Sequence, residues 1–420
     1  MFDINIVIYS FNRALQLDTL IRSINRHLRG CSYVINVIYN SSSSELEQGY
    51  EYLKKSYPNN WNVNFLKETR GGFKGYSFLE YCCVKNLKTL YKNKSVRNPK
   101  SDFRQLNISA IRNTNSRYVV FFTDDSVMIK DCFINDDIMS FIDANPMQNS
   151  YSMRQGLNVD DGFFAGCKKG DYLYWNYNKH PFESHWGYHF SVDGHIYSKQ
   201  VADYLIRKII FANPNTMEGP IAMFAKQQNL LQNGMSSTST CLLAFPLNEV
   251  NSEVANYAQD ISCEMLNEKL LSGNQLNYDI PAEQDIERFP QFKNCVFFEK
   301  DGVTEKVEIY PLHEFIIKQA STLESARQVE ADFVIITPQA VCDNTFSDIQ
   351  KKLNEYYSTD LVGIVTLKTL KKKDLFVKDA LLTSFNGIND KYIYCLRKDA
   401  IVNISSREGY IRCFNKSYLR

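Results

Sequence analysis

Long apolar runs are missing from this chain. No stretch of its 420 residues approaches the roughly 18 to 20 consecutive apolar residues that a membrane span needs. Membrane contact is therefore expected to be peripheral at most. An excess of one charge is missing too: 48 Lys and Arg stand against 47 Asp and Glu, for a net charge of +1. That balance offers no basic footprint for nucleic acid, and no nucleic-acid partner is expected. The 11 cysteines are scattered without a CxxC pair, and Cys82-Cys83 is the one close pair. Met1-Phe2-Asp3-Ile4 has neither the basic start nor the apolar stretch of a secretory signal. Reduced thiols and a cytoplasmic location, with the inner membrane face as a peripheral option, are the expectation. HExxH and paired-cysteine zinc motifs are absent as well. Tryptophan is scarce, 3 residues against 26 Tyr and 27 Phe, and most of these rings are expected in the core.

What is present is an alternation of strands and helices. Ile4 to Tyr9 reads as a first strand. Ala14 to Leu28 follows as an amphipathic helix, with Leu17, Leu20, Ile21, Ile24 and Leu28 at three- and four-residue steps. Further strands are expected at Val34 to Tyr39, Val63 to Leu66 and Tyr118 to Phe122, with helices beginning near Tyr76 and around Ile108. The pattern argues an α/β fold with a mostly parallel sheet and helices on both faces. Residues 133–220 are richer in loop signals. An apolar run at Cys241 to Phe245 and a polar helical segment at Ala258 to Leu271 come next. A boundary is placed near residue 290, at Phe289-Pro290-Gln291. Beyond it a smaller C-terminal α/β domain, residues 291–420, is expected to carry strands at Cys295 to Phe298, Phe333 to Ile336, Leu361 to Val365 and Tyr392 to Leu396. Its Ala326-Arg327 and Phe333 to Thr337 echo Ile111-Arg112 and Tyr118 to Phe122, with Pro338-Gln339 near where carboxylates would stand.

The most informative stretch is Tyr118-Val119-Val120-Phe121-Phe122-Thr123-Asp124-Asp125-Ser126. Five apolar residues fit a strand buried on both faces. Ligands of open α/β sheets bind beyond the carboxyl ends of the strands, where these two carboxylates stand. Mg²⁺ or Mn²⁺ carrying a phosphorylated substrate would neutralise them. Ser10-Phe11-Asn12-Arg13 could hold a base and a phosphate, and Asn40-Ser41 a uracil or ribose. Arg70-Gly71-Gly72-Phe73-Lys74-Gly75 joins cations to glycines, which suits a pyrophosphate. It is not a Walker A loop, because Gly75 follows Lys74. Four of the six histidines lie between His180 and His195. His180 and His185 read as packed residues; His195, behind Asp193-Gly194, is the better site candidate. Asn213-Pro214-Asn215-Thr216-Met217-Glu218 places a carboxylate after a turn, either as a functional group or as the third residue of a helix capped by Asn215.

The order of these parts resembles the family 2 type glycosyltransferases of the GT-A fold, closest to a bacterial surface-polysaccharide group. The matching stretches are Tyr9 to Arg13, Phe73-Lys74, Phe122 to Asp125, Tyr151 to Asn158, Ser191 to Tyr197 and Asn213 to Glu218. Pro246-Leu247-Asn248, Leu266-Asn267 and Gly273 extend the match, which covers roughly residues 4–280 and leaves out the tail. One departure concerns the metal motif, whose carboxylates usually alternate: here Ser126-Val127 follows Asp125. The cation would then rest on Asp125 and a distal ligand such as His195, or be held weakly.

The resemblance implies a GT-A-like domain over residues 1–290. It implies an inverting transfer of a sugar from a nucleotide-diphosphate sugar to a hydroxyl of a glycan or lipid-linked acceptor, in surface glycan synthesis. Ser10, Phe11, Arg13, Asn40, Arg70, Lys74 and Asp124 would bind the donor. Glu218 is favoured as the base, with Asp193 placing acceptor or sugar, and Mn²⁺ or Mg²⁺ on Asp125 would help the diphosphate leave. Two other readings remain: a sugar nucleotidyltransferase, and a non-catalytic glycan- or partner-binding module. Assembly as a homo-oligomer also stays open. The tail would be a degenerate copy of the fold or an acceptor- or partner-binding domain.

Overall fold

The structure, a computed structural model, describes residues 2–81, 84–158, 164–182, 184–248, 261–279 and 295–308, together with six strands further on. The chain divides into two units, one of residues 1–250 and 260–309 and one of residues 251–259 and 310–420.

The first unit opens with β1 (Phe2–Phe11), α1 (Ala14–His27), β2 (Leu28–Arg29), β3 (Tyr33–Asn40), α2 (Ser44–Ser56) and β4 (Val63–Lys67). Three short helices, α3 (Phe78–Tyr81), α4 (Val84–Lys92) and α5 (Lys94–Arg97), lead to α6 (Phe103–Asn113) and β5 (Ser116–Thr123). Next come β6 (Ser126–Met128), β7 (Cys132–Phe133), α7 (Asp136–Ala144), β8 (Asn149–Ser152), β9 (Gly166–Lys169), β10 (Tyr172–Asn176) and β11 (His195–Ser198). Then follow α8 (Lys199–Lys208), α9 (Pro214–Gln227), β12 (Asn233–Ser237), β13 (Leu242–Ala244), α10 (Cys263–Leu271), β14 (Gln275–Asn277), β15 (Cys295–Lys300) and β16 (Val303–Glu308).

A nine-stranded sheet runs β4-β3-β1-β5-β11-β8-β12-β10-β9. Its first four strands are parallel, as the strand-helix alternation predicts. From β11 on the pairing is mixed: β11 runs antiparallel to β5 and β8, and β10 to β12 and β9. Loop-rich residues 133–220, with β12 beyond them, therefore supply the mixed half, with strands too short to stand out in the sequence.

Alternation along the strands explains the two layers. Ile4, Ile6 and Ile8 of β1 and Val120 and Phe122 of β5 face one core, shared with α1, α2, α7 and α10. Val7, Tyr9, Val119 and Phe121 face the other, shared with α6, α8 and α9. Register at the parallel edge is pinned by amides: Asn36 Nδ2 donates to Asn5 Oδ1 at 2.8 Å, and Asn64 Nδ2 to Asn36 Oδ1 at 3.1 Å. Among the described residues no helix is long and apolar enough to cross a membrane.

The boundary expected near residue 290 lies outside the described residues. β15, read from the sequence as the first strand of the tail, pairs with β14 and belongs to the first unit, where Val296 and Phe298 join the core. In the second unit β17 (Ile317–Ala320), β18 (Phe333–Ile336), β19 (Leu361–Val365) and β20 (Ile393–Arg397) form a sheet ordered β17-β18-β20-β19. A separate pair joins β21 (Asn403–Ser405) to β22 (Tyr410–Arg412). Ala326, Arg327 and Pro338-Gln339 of the proposed internal echo lie outside the described residues.

Candidate functional site

Neighbouring parallel strands deliver the first cluster. β1 and β5 pair with Tyr9 opposite Thr123, so Ser10 and Asp124 leave the sheet side by side. The Asp124 N–H continues the ladder to Tyr9 O at 3.1 Å. Its side chain is buried and accepts from Ser10 Oγ at 2.8 Å, Phe11 N at 3.1 Å and Arg13 Nη1 at 3.0 Å. The same Nη1 lies 2.9 Å from Asp125 Oδ2, so one guanidinium nitrogen bridges both carboxylates. Arg13 Nε donates to Asn248 Oδ1 at 2.7 Å and Nη2 to the Asn248 carbonyl. Tyr50 OH, against Ser10 Oγ at 2.8 Å, accepts the Arg13 N–H at 3.1 Å.

This arrangement satisfies buried charges that would otherwise be expensive. Burial pushes the Asp124 carboxyl up to about 6, with Arg13 pulling it back. Burial also opposes the charge of Arg13, yet Asp124 and Asp125 lift its pKa above the ordinary value. Asp125 is the more open of the pair, its side chain 19% exposed against 5% for Asp124. Its Oδ1 has no hydrogen bond among the described residues. Phe245 N donates to the Asp125 carbonyl, fixing the loop that carries Asn248 against the carboxylates.

A second cluster hangs on the turn before β11. Gly194 has φ +70 and donates its N–H to Phe121 O at 2.8 Å. A Cβ there would stand 2.4 Å from Leu242 Cδ2, so only glycine turns here without displacing that side chain. The turn holds Asp193 beside the end of β5. Thr123 Oγ1 donates to Asp193 Oδ1 at 3.0 Å, and Arg154 pairs with Oδ2. Thr123 thus joins the two clusters, being adjacent to Asp124 in the chain and bonded to Asp193 in space.

Glu218 approaches from α9. Pro214 and the Asn213–Thr216 capping box begin that helix: Thr216 N donates to Asn213 Oδ1 at 2.9 Å, and Asn213 N to Thr216 Oγ1 at 3.0 Å. The cap is therefore Asn213 and not Asn215. Glu218 sits in the second turn with no capping duty. Its Oε1 accepts Ser191 Oγ and Val192 N, both at 2.9 Å. No hydrogen bond engages Oε2 among the described residues. Burial, then the charge of Asp193, pushes Glu218 up to about 7. A carboxylate poised near neutrality with one oxygen unengaged is suited to take a proton.

Several expected site residues fall into other roles. Arg13 has its guanidinium engaged by Asp124, Asp125 and Asn248, so it braces carboxylates instead of facing an open phosphate site. Asp124 is likewise filled by Ser10, Phe11 and Arg13. Asn40 closes the ladder opposite Phe11, and its Oδ1 accepts the Ser41 N–H at 2.9 Å. Phe11 is 37% exposed, an open ring at the strand end. Arg70 and Lys74 are exposed and form no ion pair among the described residues. His195, expected as a distal metal ligand, opens β11, and its Nε2 has no hydrogen-bond partner among the described residues. Its ring is buried, stacks on Tyr197 at 6.2 Å and is held neutral by burial, its pKa down to about 3. Its Nδ1 faces the Asp193 carbonyl at 3.3 Å. Among the described residues no three His, Cys, Asp or Glu side chains gather as a metal-binding group. Thr123, Arg154 and Asn248 lay in the matching stretches without a role being read for them. Tyr50 gave no signal beyond one more aromatic on a helix.

No protein-family profile and no curated protein matches the chain. Solved structures resemble it distantly. S. aureus TarS aligns at 14% identity over 58% of this chain and 36% of its own length, with a TM-score of 0.35. A TarS fragment in complex with UDP-GlcNAc aligns at 14% identity over 68% of this chain and 74% of the fragment, also with a TM-score of 0.35. The WbbM bifunctional glycosyltransferase aligns at 16% identity over 53% of this chain and 37% of its own, with a TM-score of 0.29. The match thus covers about a third of that TarS chain, 36%. Likeness at these TM-scores describes resemblance and assigns no activity.

Proposed function

We propose that the first unit is a glycosyltransferase of GT-A type that moves a sugar from a nucleotide-diphosphate sugar to an acceptor hydroxyl with inversion. The observation that carries this reading is Glu218, held on α9 beside Asp193 with a pKa near neutrality. The acceptor oxygen bonds to the anomeric carbon as the bond from that carbon to the diphosphate oxygen breaks. The diphosphate leaves with the bonding pair, and the hydroxyl proton passes to Glu218 Oε2. Ser191 and Val192 hold Oε1 so that the other oxygen stays presented. Both Asp193 oxygens are engaged by Thr123 and Arg154, so Asp193 suits positioning of acceptor or sugar better than proton transfer.

Ser10, Phe11 and Asn40 line the strand ends where the nucleotide would lie, with Arg70 and Lys74 as the unpaired cations for a diphosphate. The residues fit a divalent ion only in part. Asp125 offers one oxygen, Arg13 occupies the other, and His195 is buried with its Nε2 unpartnered among the described residues. Mg²⁺ bound chiefly through substrate phosphates and one carboxylate is a known arrangement. Such an ion, Mg²⁺ or Mn²⁺, would supply charge stabilisation for the departing diphosphate. The nucleotidyltransferase reading fares worse, since β1 runs through Asn12 and Arg13 straight into α1 with no glycine-rich loop.

Thermal shift with UDP, GDP and dTDP, each with and without Mn²⁺, tests the donor site, because a ligand of the native state raises its melting temperature. One nucleotide should stabilise the chain in Mn²⁺, and Asp125→Asn should lose most of that shift. No shift with any nucleotide diphosphate would contradict the reading.

A further inference from the structure

The chain between β4 and α6 carries a charge that the rest of the molecule cancels. Residues 74–100 hold seven Lys and Arg against one acid, Glu80, a net of +6 within a protein whose total is +1. Glu80 is itself paired with Arg104. The exposed Lys74, Lys94, Arg97 and Lys100 have no ion-pair partner among the described residues.

The same segment turns large side chains to solvent. Phe78 is 80% exposed, Tyr91 85%, Leu87 49% and Tyr81 44%. Leu87 and Tyr91 are four residues apart on α4, so they share a face. Polar groups, in contrast, fasten the segment to the protein. Asn86 is fully buried; its amide donates to Lys208 O at 3.0 Å and accepts the Ile210 N–H at 3.2 Å. Tyr76 OH donates to Val96 O at 2.7 Å. On α4 the buried Asn86 thus stands beside the exposed Leu87 and Tyr91, while Val96 of α5 is buried. Exposed rings among uncompensated cations are the composition of a segment that lies in a membrane interface. A soluble polyanion would use the cations and leave Phe78 and Tyr91 in water.

Placement agrees. Gly71 N donates to Lys100 O at 2.9 Å and Arg70 bridges to Ser101, so the segment is closed at its base. It leaves the sheet at the carboxyl end of β4. Strands β4, β3, β1 and β5 are parallel, so this is the end at which Ser10 and Asp124 emerge. We propose that the described part of residues 74–100 docks the protein on the surface of an anionic phospholipid bilayer, with Phe78 and Tyr91 at headgroup depth and Lys74, Lys94, Arg97 and Lys100 on lipid phosphates. The inference does not depend on the chemistry assigned to Glu218.

The test is sedimentation of the full chain with vesicles of phosphatidylcholine alone and of phosphatidylcholine with phosphatidylglycerol, beside binding to inorganic polyphosphate. Of the two vesicle types, binding is expected only to those with phosphatidylglycerol, falling with salt; the cations alone should also give some binding to polyphosphate. Each cation near an anionic surface is worth about fivefold in partitioning, so Lys94→Glu with Arg97→Glu should lower it by about 25-fold or more. Phe78→Ser with Tyr91→Ser should weaken vesicle binding, leave polyphosphate binding unchanged and leave the melting temperature in place, since both rings are exposed. Vesicle binding untouched by the ring substitutions, or binding to polyphosphate without binding to vesicles, would overturn the bilayer as the partner.

Discussion

Glu218 Oε1 lies 2.9 Å from the Val192 backbone nitrogen, tying the second turn of α9 to the turn that carries Asp193. The contact binds Glu218 to the Asp193 turn and not to the helix start. Its pKa of about 7 stands above the ordinary carboxyl value, with burial as the first cause. A carboxyl raised on folding binds its proton more readily in the native state. Its ionisation therefore weakens the fold as pH rises through about 7, and the penalty is absent at low pH. Glu218→Gln should raise the melting temperature relative to the parent chain at about pH 8 and converge with it toward about pH 5. Paired melting curves at the two pH values check this.

The cap residue behaves differently. Asn213→Ala removes the acceptor for Thr216 N. It should lower stability by about 0.5 to 2 kcal/mol, measured by denaturant unfolding, with little dependence on pH.

Arg13 braces two carboxylates. Arg13→Met leaves Asp124 buried without its counter-charge and should cost about 3 to 5 kcal/mol above neutral pH. Asp124 already titrates at about 6 with Arg13 present, and higher without it. Protonation removes the unpaired charge, so the deficit should shrink as pH falls to about 5. Unfolding at both pH values separates this from a simple loss of packing, which would be the same at each.

Arg154 is one of the groups that hold the Glu218 pKa down, through its positive charge. Arg154→Gln should move the acid limb of the rate profile to higher pH while leaving the plateau defined by Glu218 visible. A limb that stays in place would separate Arg154 from the proton transfer.

Much of this was legible before the coordinates. The apolar run of β5 and the two aspartates after it predict a strand end with two carboxylates, and the loop Ser10 to Arg13, which also follows an early strand, reads as converging on the same crevice, but with Arg13 for a phosphate and not as their counter-charge. Local patterns are enough for such elements, since a buried parallel strand writes itself as a run. The partners that decide chemistry were not legible. Asn248 meets Arg13 across 235 residues, and Thr123 meets Asp193 across 70. Nothing local in a sequence reports such pairs. The cap of α9 was misplaced by two residues because Asn213 and Asn215 both suit the position; the reciprocal bond from Asn213 N to Thr216 decides it. His195 reads as a ligand by its neighbours, and that its place in β11 buries the ring is not written in the local sequence.

The most direct test of the account is the pH dependence of nucleoside diphosphate release from the nucleotide sugar that stabilises the chain. Single-turnover rates for the parent chain should rise through about pH 7 and then level, as Glu218 loses its proton. Glu218→Gln should bind the nucleotide with unchanged affinity, lose roughly a hundred- to ten-thousand-fold in rate and lose the rise near neutrality. A Glu218→Gln protein that releases the diphosphate at the parent rate, with the same pH profile, would contradict the assignment of Glu218 as the base.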